Sequence, residues 1–127
     1  MEDSARLTRI QECITLIIME ERRIVWDTNK NMENKLKHGI GFEVAQYVFS
    51  DPERIWRLDQ SEGNKSGEDR WQTIGKVGSL FFVVYAECEM ENVNITRLIS
   101  AREAKKNERR SYNGYYGIDN QGWTKDT

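Results

Sequence analysis

The stretch from Leu80 to Ala86 restricts the fold more than any other feature, because all seven of its residues are apolar. A short run rich in Val and Phe is typical of a central strand that is covered on both faces. The chain has 127 residues, of which 38% are hydrophobic and 31% are charged. We therefore expect one soluble domain layered around this strand, without a membrane span or a signal peptide.

A strand and a helix are predicted well before this run. The strand covers residues 24–26, and the helix begins at the N-cap pair Asp27-Thr28 and ends at Gly39. On the helical wheel, the apolar residues Met32 and Leu36 fall together. The polar residues on the opposite side of the wheel are Lys30, Asn34, Lys37 and His38.

A second helix, four strands and a third helix complete the predicted order. The second helix covers residues 42–49 and stops before Pro52, which disfavours helical backbone in the preceding residue. The strands cover residues 54–58, 70–76, 80–86 and 93–99. Ser100 and Glu103 form a capping box that starts a final helix ending near Asn113. The order β-α-α-β-β-β-β-α predicts an α+β domain with an antiparallel sheet.

Charge is distributed unevenly along the chain, although the formal net charge is only -2. Residues 97–110 hold six basic and two acidic side chains, and residues 22–38 hold five Lys or Arg and two acids. Residues 43–69 hold seven acids and three Lys or Arg. The net charge argues against a general nucleic-acid coat protein, whereas the two cationic segments suit local contacts with phosphate.

Five cations of the predicted final helix fall in one arc of its helical wheel, about 140° wide. They are Arg102, Lys105, Lys106, Arg109 and Arg110. The arc is either a solvated helix face or a phosphate-binding face, since clustered guanidinium groups suit bidentate contacts with phosphate. Arg102 favours the second interpretation, because a cation in the first helical turn opposes the helix macrodipole.

Three other polar residues have both a structural and a functional interpretation. His38, the only histidine, is either a cation at a helix C-terminus or a general acid or base. Arg97 shares a strand face with apolar residues, so it either extends past them to solvent or pairs with a carboxylate. Arg70 opens a strand beside Glu68 and Asp69, either of which is an available ion-pair partner.

Residues that bind metals or form disulfides are few. Cys13 and Cys88 are interpreted as free thiols of a protein in a reducing cytoplasm. With one histidine and no paired cysteines, we expect no structural zinc site and no other cofactor, and a two-histidine nuclease mechanism is excluded.

Short blocks between residues 24 and 112 form an ordered set. They are Trp26-Asp27, Lys30, Asn34, Lys37-His38-Gly39-Ile40, Phe42-Glu43, Ala45, Asp69-Arg70-Trp71, Ile74-Gly75, Phe82-Val83-Val84-Tyr85, Arg97-Leu98-Ile99-Ser100-Ala101-Arg102, Ala104 and Glu108-Arg109-Arg110-Ser111-Tyr112. This set resembles the BrnT toxins, a family with the RelE-like toxin fold. The most specific blocks are residues 37–39 and 99–102.

The resemblance implies a metal-independent endoribonuclease, the toxin of a type II toxin–antitoxin module, which stops translation. It also implies neutralisation by a ribbon-helix-helix antitoxin in a complex of two toxins and two antitoxins, which reaches operator DNA only through the antitoxin. The residues assigned to catalysis are His38, Arg70, Arg97 and Arg102. The residues assigned to RNA binding are Lys30, Lys37, Lys105, Lys106 and Arg109. We expect the polar positions of the matching blocks to converge on one concave surface.

Both ends of the chain lie outside the resemblance. We expect a toxin domain over residues 22–114, an N-terminal extension over residues 1–21 and a loose tail over residues 115–127. Met19 is an alternative start of translation. Two other functions remain open: a catalytically weak toxin homologue that acts as an antitoxin-binding corepressor, and an RNA- or phosphate-binding module.

Overall fold

The computed structural model describes residues 22–61, 68–114 and 121–125, so the predicted N-terminal extension lies outside the described residues. The elements are β1 (Arg22–Trp26), α1 (Thr28–His38), α2 (Phe42–Ala45), a 3-10 helix (Gln46–Ser50), β2 (Ile55–Leu58), β3 (Arg70–Val77), β4 (Ser79–Met90), β5 (Val93–Glu103), α3 (Lys106–Asn113) and β6 (Thr124–Lys125). The described residues form an α+β domain, which confirms the predicted class.

The strands form one mixed sheet in the order β1-β5-β4-β3-β2-β6. Neighbours from β5 to β6 are antiparallel, but β1 runs parallel to β5. The expectation of an antiparallel sheet is therefore wrong at this edge. Parallel neighbours need a long connection, and the chain between β1 and β5 supplies it. The sixth strand was not predicted, because two residues are too few to show a strand period.

The apolar run from Leu80 to Ala86 lies in β4, which is a central strand as predicted. Both β4 and β5 are longer than predicted, because they form a hairpin that turns at Glu91 and Asn92. These two residues have φ values of 53° and 68°, as tight hairpin turns require. The segment between the two predicted strands, residues 87–92, therefore shrinks to a turn of two residues.

Helices cover both faces of the sheet. We call the side covered by α1, α2 and the 3-10 helix the α1 face, and the opposite side the α3 face. The buried core of the α1 face consists of Ile40, Phe42, Ala45, Val48, Val83, Tyr85, Leu98 and Ala101. The core of the α3 face consists of Ile55, Ile74, Phe82, Ala104 and Trp123. This arrangement explains why the run in β4 is apolar at every position.

The core of the α3 face includes part of the stretch that was predicted to be a loose tail. Trp123 is only 3% exposed, and its ring meets that of Phe82 edge to face. The adjacent β6 pairs with β2. A domain boundary at residue 114 therefore leaves out a residue of the core, because an aromatic side chain buries much apolar surface even in a polar segment.

Helix α1 begins and ends where the sequence predicts. The Asp27 carboxylate accepts hydrogen bonds from the backbone N–H groups of Asn29 and Lys30. Gly39 ends the helix in a left-handed conformation with φ 75°. Such a conformation is much less costly for glycine than for residues that carry a Cβ.

The inward face of α1 is polar. Asn31 and Asn34 are buried, whereas Met32 and Leu36 are exposed. The Asn34 side-chain amide donates to the carbonyl oxygens of Ile40 and Ala101 and accepts from the Ala101 N–H. The amide fits this place because it satisfies backbone groups that a leucine would leave unpaired.

The start of α3 differs from the prediction. Residues 100–103 belong to β5, so Ser100 and Glu103 do not cap a helix. The helix starts at Lys106, and the Glu108 carboxylate accepts a hydrogen bond of 2.8 Å from the backbone N–H of Lys105. Arg102 therefore lies in a strand, and the argument that it opposes a helix macrodipole does not apply.

Candidate functional site

Arg70 and Arg97 lie in one row across the sheet. Arg70 in β3 pairs with Ala86 in β4, and Ala86 pairs with Arg97 in β5. Residues in one such row point to the same face, and two strand spacings separate their backbones by about 10 Å. Both arginines therefore lie on the α3 face, at the end of the sheet that α3 leaves open.

A β-bulge places Arg102 on the same face. Residues five apart in a regular strand point to opposite faces, because the strand period is two. The register shifts here: Tyr85 pairs with Leu98, but Val84 pairs with Ser100, so β5 has one extra residue. Arg97 and Arg102 consequently both point to the α3 face, where the Arg102 guanidinium lies 4.2 Å from the centre of the Phe82 ring.

Glu68 lies beside the arginine row. Its carboxylate accepts a hydrogen bond of 2.5 Å from Arg97. This hydrogen bond lowers the pKa of Glu68, and the positive charge of Arg70 lowers it further. The prediction that Arg97 pairs with a carboxylate is thus confirmed. The partner is Glu68, which had been predicted as a possible partner of Arg70.

The Arg70 guanidinium has an unused donor. Its Nε is buried and, among the described residues, is the one buried side-chain nitrogen or oxygen without a hydrogen-bond partner. Leaving such a donor unsatisfied costs on the order of 1–3 kcal/mol. An incoming acceptor such as a phosphate oxygen would remove this cost.

Arg102 is held by two hydrogen bonds. Its Nη1 and Nη2 donate to the two carboxylate oxygens of Glu108, at 2.9 Å each. Burial alone would raise the pKa of Glu108, but hydrogen bonds from Arg102 and Lys105 and their positive charges lower it below its usual value. The guanidinium therefore connects β5 to α3, and nothing in the sequence spacing predicted this structural role.

His38 lies close enough to Arg102 for the positive charge of that guanidinium to affect the pKa of the imidazole. It is exposed at the C-terminus of α1. Partial loss of hydration, together with the positive charges of Lys37 and Arg102, lowers the pKa of His38. The imidazole is therefore neutral near pH 7 and is able to accept a proton.

The remaining predicted cations lie on or beside α1 and α3, the helices that cover opposite faces of the sheet. Lys30 and Lys37 are exposed on α1, and Lys105, Lys106 and Arg109 are exposed at or in α3. A concave surface of about 510 Å³ runs along α3 and is lined by Lys106, Arg109, Arg110, Asn113 and Gly114. Of the five cations predicted to share one helical arc, Lys106, Arg109 and Arg110 lie in α3, whereas Lys105 precedes the helix and Arg102 lies in β5.

Further polar residues, which the sequence did not indicate, lie on the α3 face. The Arg57 Nε donates to Gln72 at 2.8 Å, and Gln72 donates to Asp59 at 3.1 Å. Arg57 and Gln72 line a cavity of about 430 Å³. The Arg57 guanidinium also stacks 4.1 Å from the centre of the Trp123 ring. Pairing between β2 and β3 brings them together, and neither residue belongs to a recognisable motif.

Three further observations concern the surroundings of the site. Trp56 and Trp71, with ring centroids 5.9 Å apart, lie on the α1 face and so away from the arginines. Within the described ranges, no three His, Cys, Asp or Glu side chains are grouped so that they could hold a metal ion. No helix among the described residues is long and apolar enough to cross a bilayer.

The fold and the site together define a small α+β domain that places Arg70, Arg97 and Arg102 on one face of its sheet, with His38 near enough to Arg102 for that charge to lower its pKa. Such a surface suits contact with phosphate groups. A family model described as the ribonuclease toxin BrnT of type II toxin–antitoxin systems matches residues 26–108. The chain belongs to this family of ribonuclease toxins, and membership in a type II system implies an antitoxin partner. A search of the curated proteins gave no match.

Proposed function

We propose that this chain is a RelE-like endoribonuclease that cleaves RNA on the α3 face without a metal and thereby stops translation in the cytoplasm. The observation that carries this proposal is the row formed by Arg70 and Arg97, with the unpartnered Nε of Arg70. Guanidinium groups that are fixed before substrate arrives stabilise charge that develops on a phosphate.

The reacting phosphate is placed over Val84 and Ser100, which pair in the row between Arg97 and Arg102. A step of two residues along a strand is about 6.6 Å, so arginines on both sides are within reach of this row. The 2′-hydroxyl oxygen attacks the adjacent phosphorus, and the 5′-oxygen of the next nucleotide leaves. His38 takes the proton of the 2′-hydroxyl and later releases it to solvent, while solvent water supplies the proton that the leaving 5′-oxygen takes up.

The exposed lysines bind the rest of the RNA. The proposed contacts are Lys30 and Lys37 on α1 and Lys105, Lys106 and Arg109 at or in α3. Because the net charge of the chain is -2, these local cations supply the attraction to RNA. The antitoxin is proposed to be of the ribbon-helix-helix type, in a complex of two copies of each protein that binds operator DNA through the antitoxin.

The proposal is tested with purified protein and a single-stranded RNA oligonucleotide, with and without EDTA. We expect cleavage in both conditions, with products that end in a 2′,3′-cyclic phosphate and begin with a 5′-hydroxyl. Expression in bacteria should arrest growth and protein synthesis. Loss of cleavage in EDTA would contradict metal independence, and products with a 5′-phosphate would contradict attack by the 2′-hydroxyl.

A second candidate function follows from the ion pairs of Arg97 and Arg102. Both guanidinium groups bind carboxylates, Glu68 and Glu108. If these pairs persist when RNA is present, the chain is a catalytically weak homologue that serves as an antitoxin-binding corepressor. A folded protein that binds antitoxin but leaves RNA intact would establish this candidate.

The pH dependence of cleavage tests the role of His38. Because the pKa of His38 is lowered, we expect cleavage to be near its maximum at pH 7 and to fall as acid protonates the imidazole. His38→Gln should lower the rate about a hundredfold and remove this acid limb. Glu33→Gln, at an exposed position of the same helix, is the control and should keep the wild-type profile. An unchanged profile in His38→Gln would show that another group moves the proton.

A further inference from the structure

A polar cavity lies beside the proposed position of the reacting phosphate. It has a volume of about 430 Å³, and its lining includes Arg57 and Gln72. These two residues continue the row of Val84 and Ser100, because Arg57 pairs with Gln72 and Gln72 pairs with Val84. Neighbouring strands are about 5 Å apart, so Gln72 is one strand and Arg57 two strands from Val84. A nucleotide whose phosphate lies over this row can therefore extend its base towards the cavity.

The segment after β2 joins one wall of the cavity to Arg70. The backbone N–H of Asp59 donates to the carbonyl oxygen of Arg70 at 2.8 Å. The Asp59 carboxylate is buried, and it accepts hydrogen bonds from the backbone N–H of Ser61 at 2.9 Å and from Gln72 at 3.1 Å. The cavity is thus attached to the strand that carries Arg70, and its shape is fixed by hydrogen bonds on two sides.

Arg57 is held in one orientation with donors to spare. Its guanidinium stacks 4.1 Å from the centre of the Trp123 ring, its Nε donates to Gln72 at 2.8 Å, and its Nη1 donates to the Gln121 carbonyl oxygen at 2.7 Å. These bonds use two of the five N–H groups of an arginine, and the other three make no hydrogen bond within the described part of the chain. Loss of hydration lowers the pKa of Arg57, so an acceptor that replaced the lost water would stabilise its charge.

The lining of the cavity suits the edge of a base better than a phosphate. Among the described residues, Arg57 is the one charged side chain that lines it, and the carboxylate of Asp59 behind Gln72 offsets that charge. The other polar side chains of the lining are the neutral residues Gln60, Ser61, Gln72 and Gln121. Amides and hydroxyls both donate and accept hydrogen bonds, as the edges of bases do. Guanine offers two neighbouring acceptors, O6 and N7, whereas adenine has an amino donor in place of O6.

We propose that this cavity binds a guanine base of the RNA next to the scissile phosphate, and that the unused N–H groups of Arg57 donate to O6 and N7 of that base. The inference rests on the proposed function, because the row of Val84 and Ser100 is where that function places the phosphate. It adds a specificity-determining residue to the site, since the bound guanidinium distinguishes guanine from the other bases.

The experiment compares three RNA oligonucleotides that consist of uridines around a single guanosine, adenosine or 7-deazaguanosine. We expect wild type to cleave the phosphodiester bond beside the guanosine, and to cleave the other two RNAs about tenfold more slowly, because each lacks one acceptor. Arg57→Met keeps an apolar stem over Trp123 but removes the donors, so it should cleave all three at similar rates. Lys76→Met, at an exposed position near the other end of β3, is the matched control and should keep the preference.

Binding measurements separate the two proposals. Fluorescence anisotropy with 2′-O-methyl versions of the same RNAs, which have no 2′-hydroxyl to attack, should show about tenfold tighter binding of guanosine by wild type and none by Arg57→Met. Equal cleavage of the three RNAs by wild type, or a preference that persists in Arg57→Met, would overturn the assignment of the cavity and leave the proposed function intact. If wild type cleaves nothing but its binding preference depends on Arg57, the proposed function fails and the cavity assignment stands. If Arg57→Met does not fold, the comparison of guanosine with 7-deazaguanosine on wild type decides.

Discussion

Arg70→Ala is expected to lower the rate of RNA cleavage about a hundredfold, which corresponds to roughly 3 kcal/mol of lost transition-state stabilisation. The free energy of unfolding should change by less than about 1 kcal/mol, because the buried Nε of Arg70 has no hydrogen bond to lose. Arg97→Ala should have a similar effect on cleavage, since Arg97 occupies the same row of the sheet. The measurements are single-turnover cleavage of an RNA oligonucleotide and a thermal melt.

Two variants control for charge alone. Lys76→Ala removes an exposed cation near the other end of β3 and should leave cleavage within about twofold of wild type. Arg70→Lys keeps the charge but removes the planar fork that binds two phosphate oxygens, so it should recover only part of the rate. Wild-type cleavage by both Arg70→Ala and Arg97→Ala would show that this row of arginines does not stabilise the reacting phosphate.

Arg102→Ala is expected to destabilise the domain by about 3 kcal/mol, because it leaves Glu108 without its main partner. Side-chain exposure is 24% for Arg102 and 11% for Glu108, so water replaces the lost hydrogen bonds poorly. Loss of toxicity in Arg102→Ala therefore does not by itself identify a catalytic residue. The measurement is urea unfolding of Arg102→Ala, Glu108→Ala and the double variant.

The double-mutant cycle gives the coupling between the two side chains. The double variant should be less destabilised than the sum of the single variants, by about 2 kcal/mol. Because the pKa of Glu108 is lowered in the folded state, its contribution is present above the unfolded pKa and is lost as pH falls through the folded pKa. The wild-type advantage over Glu108→Gln should thus shrink in acid. Additive effects at pH 7 would mean that the ion pair contributes nothing to stability.

The structure changes how Arg102 is interpreted. Its sequence context predicted a helical position where a cation is unfavourable, and this suggested catalysis. In the structure it lies in β5 and joins that strand to α3 through Glu108. A capping-box pattern is local, whereas the end of β5 is decided by its pairing with β4, which continues to Glu103 opposite Phe81. Pairing with β4 therefore keeps residues 100–103 in a strand, although their local pattern predicts the start of a helix.

The sequence determined the elements whose signals are local. These elements are the buried run of β4, which follows from side-chain volume, and the two ends of α1, which follow from the Asp27-Thr28 pair and from Gly39. The helical period correctly grouped only the three cations that lie within α3, which are Lys106, Arg109 and Arg110. The ordered blocks also identified the family, because a family is recognised from residue types and their order along the chain.

Only the tertiary structure decided which residues share a surface. A single extra residue in β5 moves Arg102 to the face of Arg97, and the strand period alone predicts the opposite. Likewise, hydrogen bonds to Ala101 turn Asn34 inward and leave Leu36 in water. Both outcomes depend on backbone groups of distant residues, which must be paired wherever they are buried. Such pairing depends on the assembled sheet, so it cannot be predicted from a short segment of the sequence.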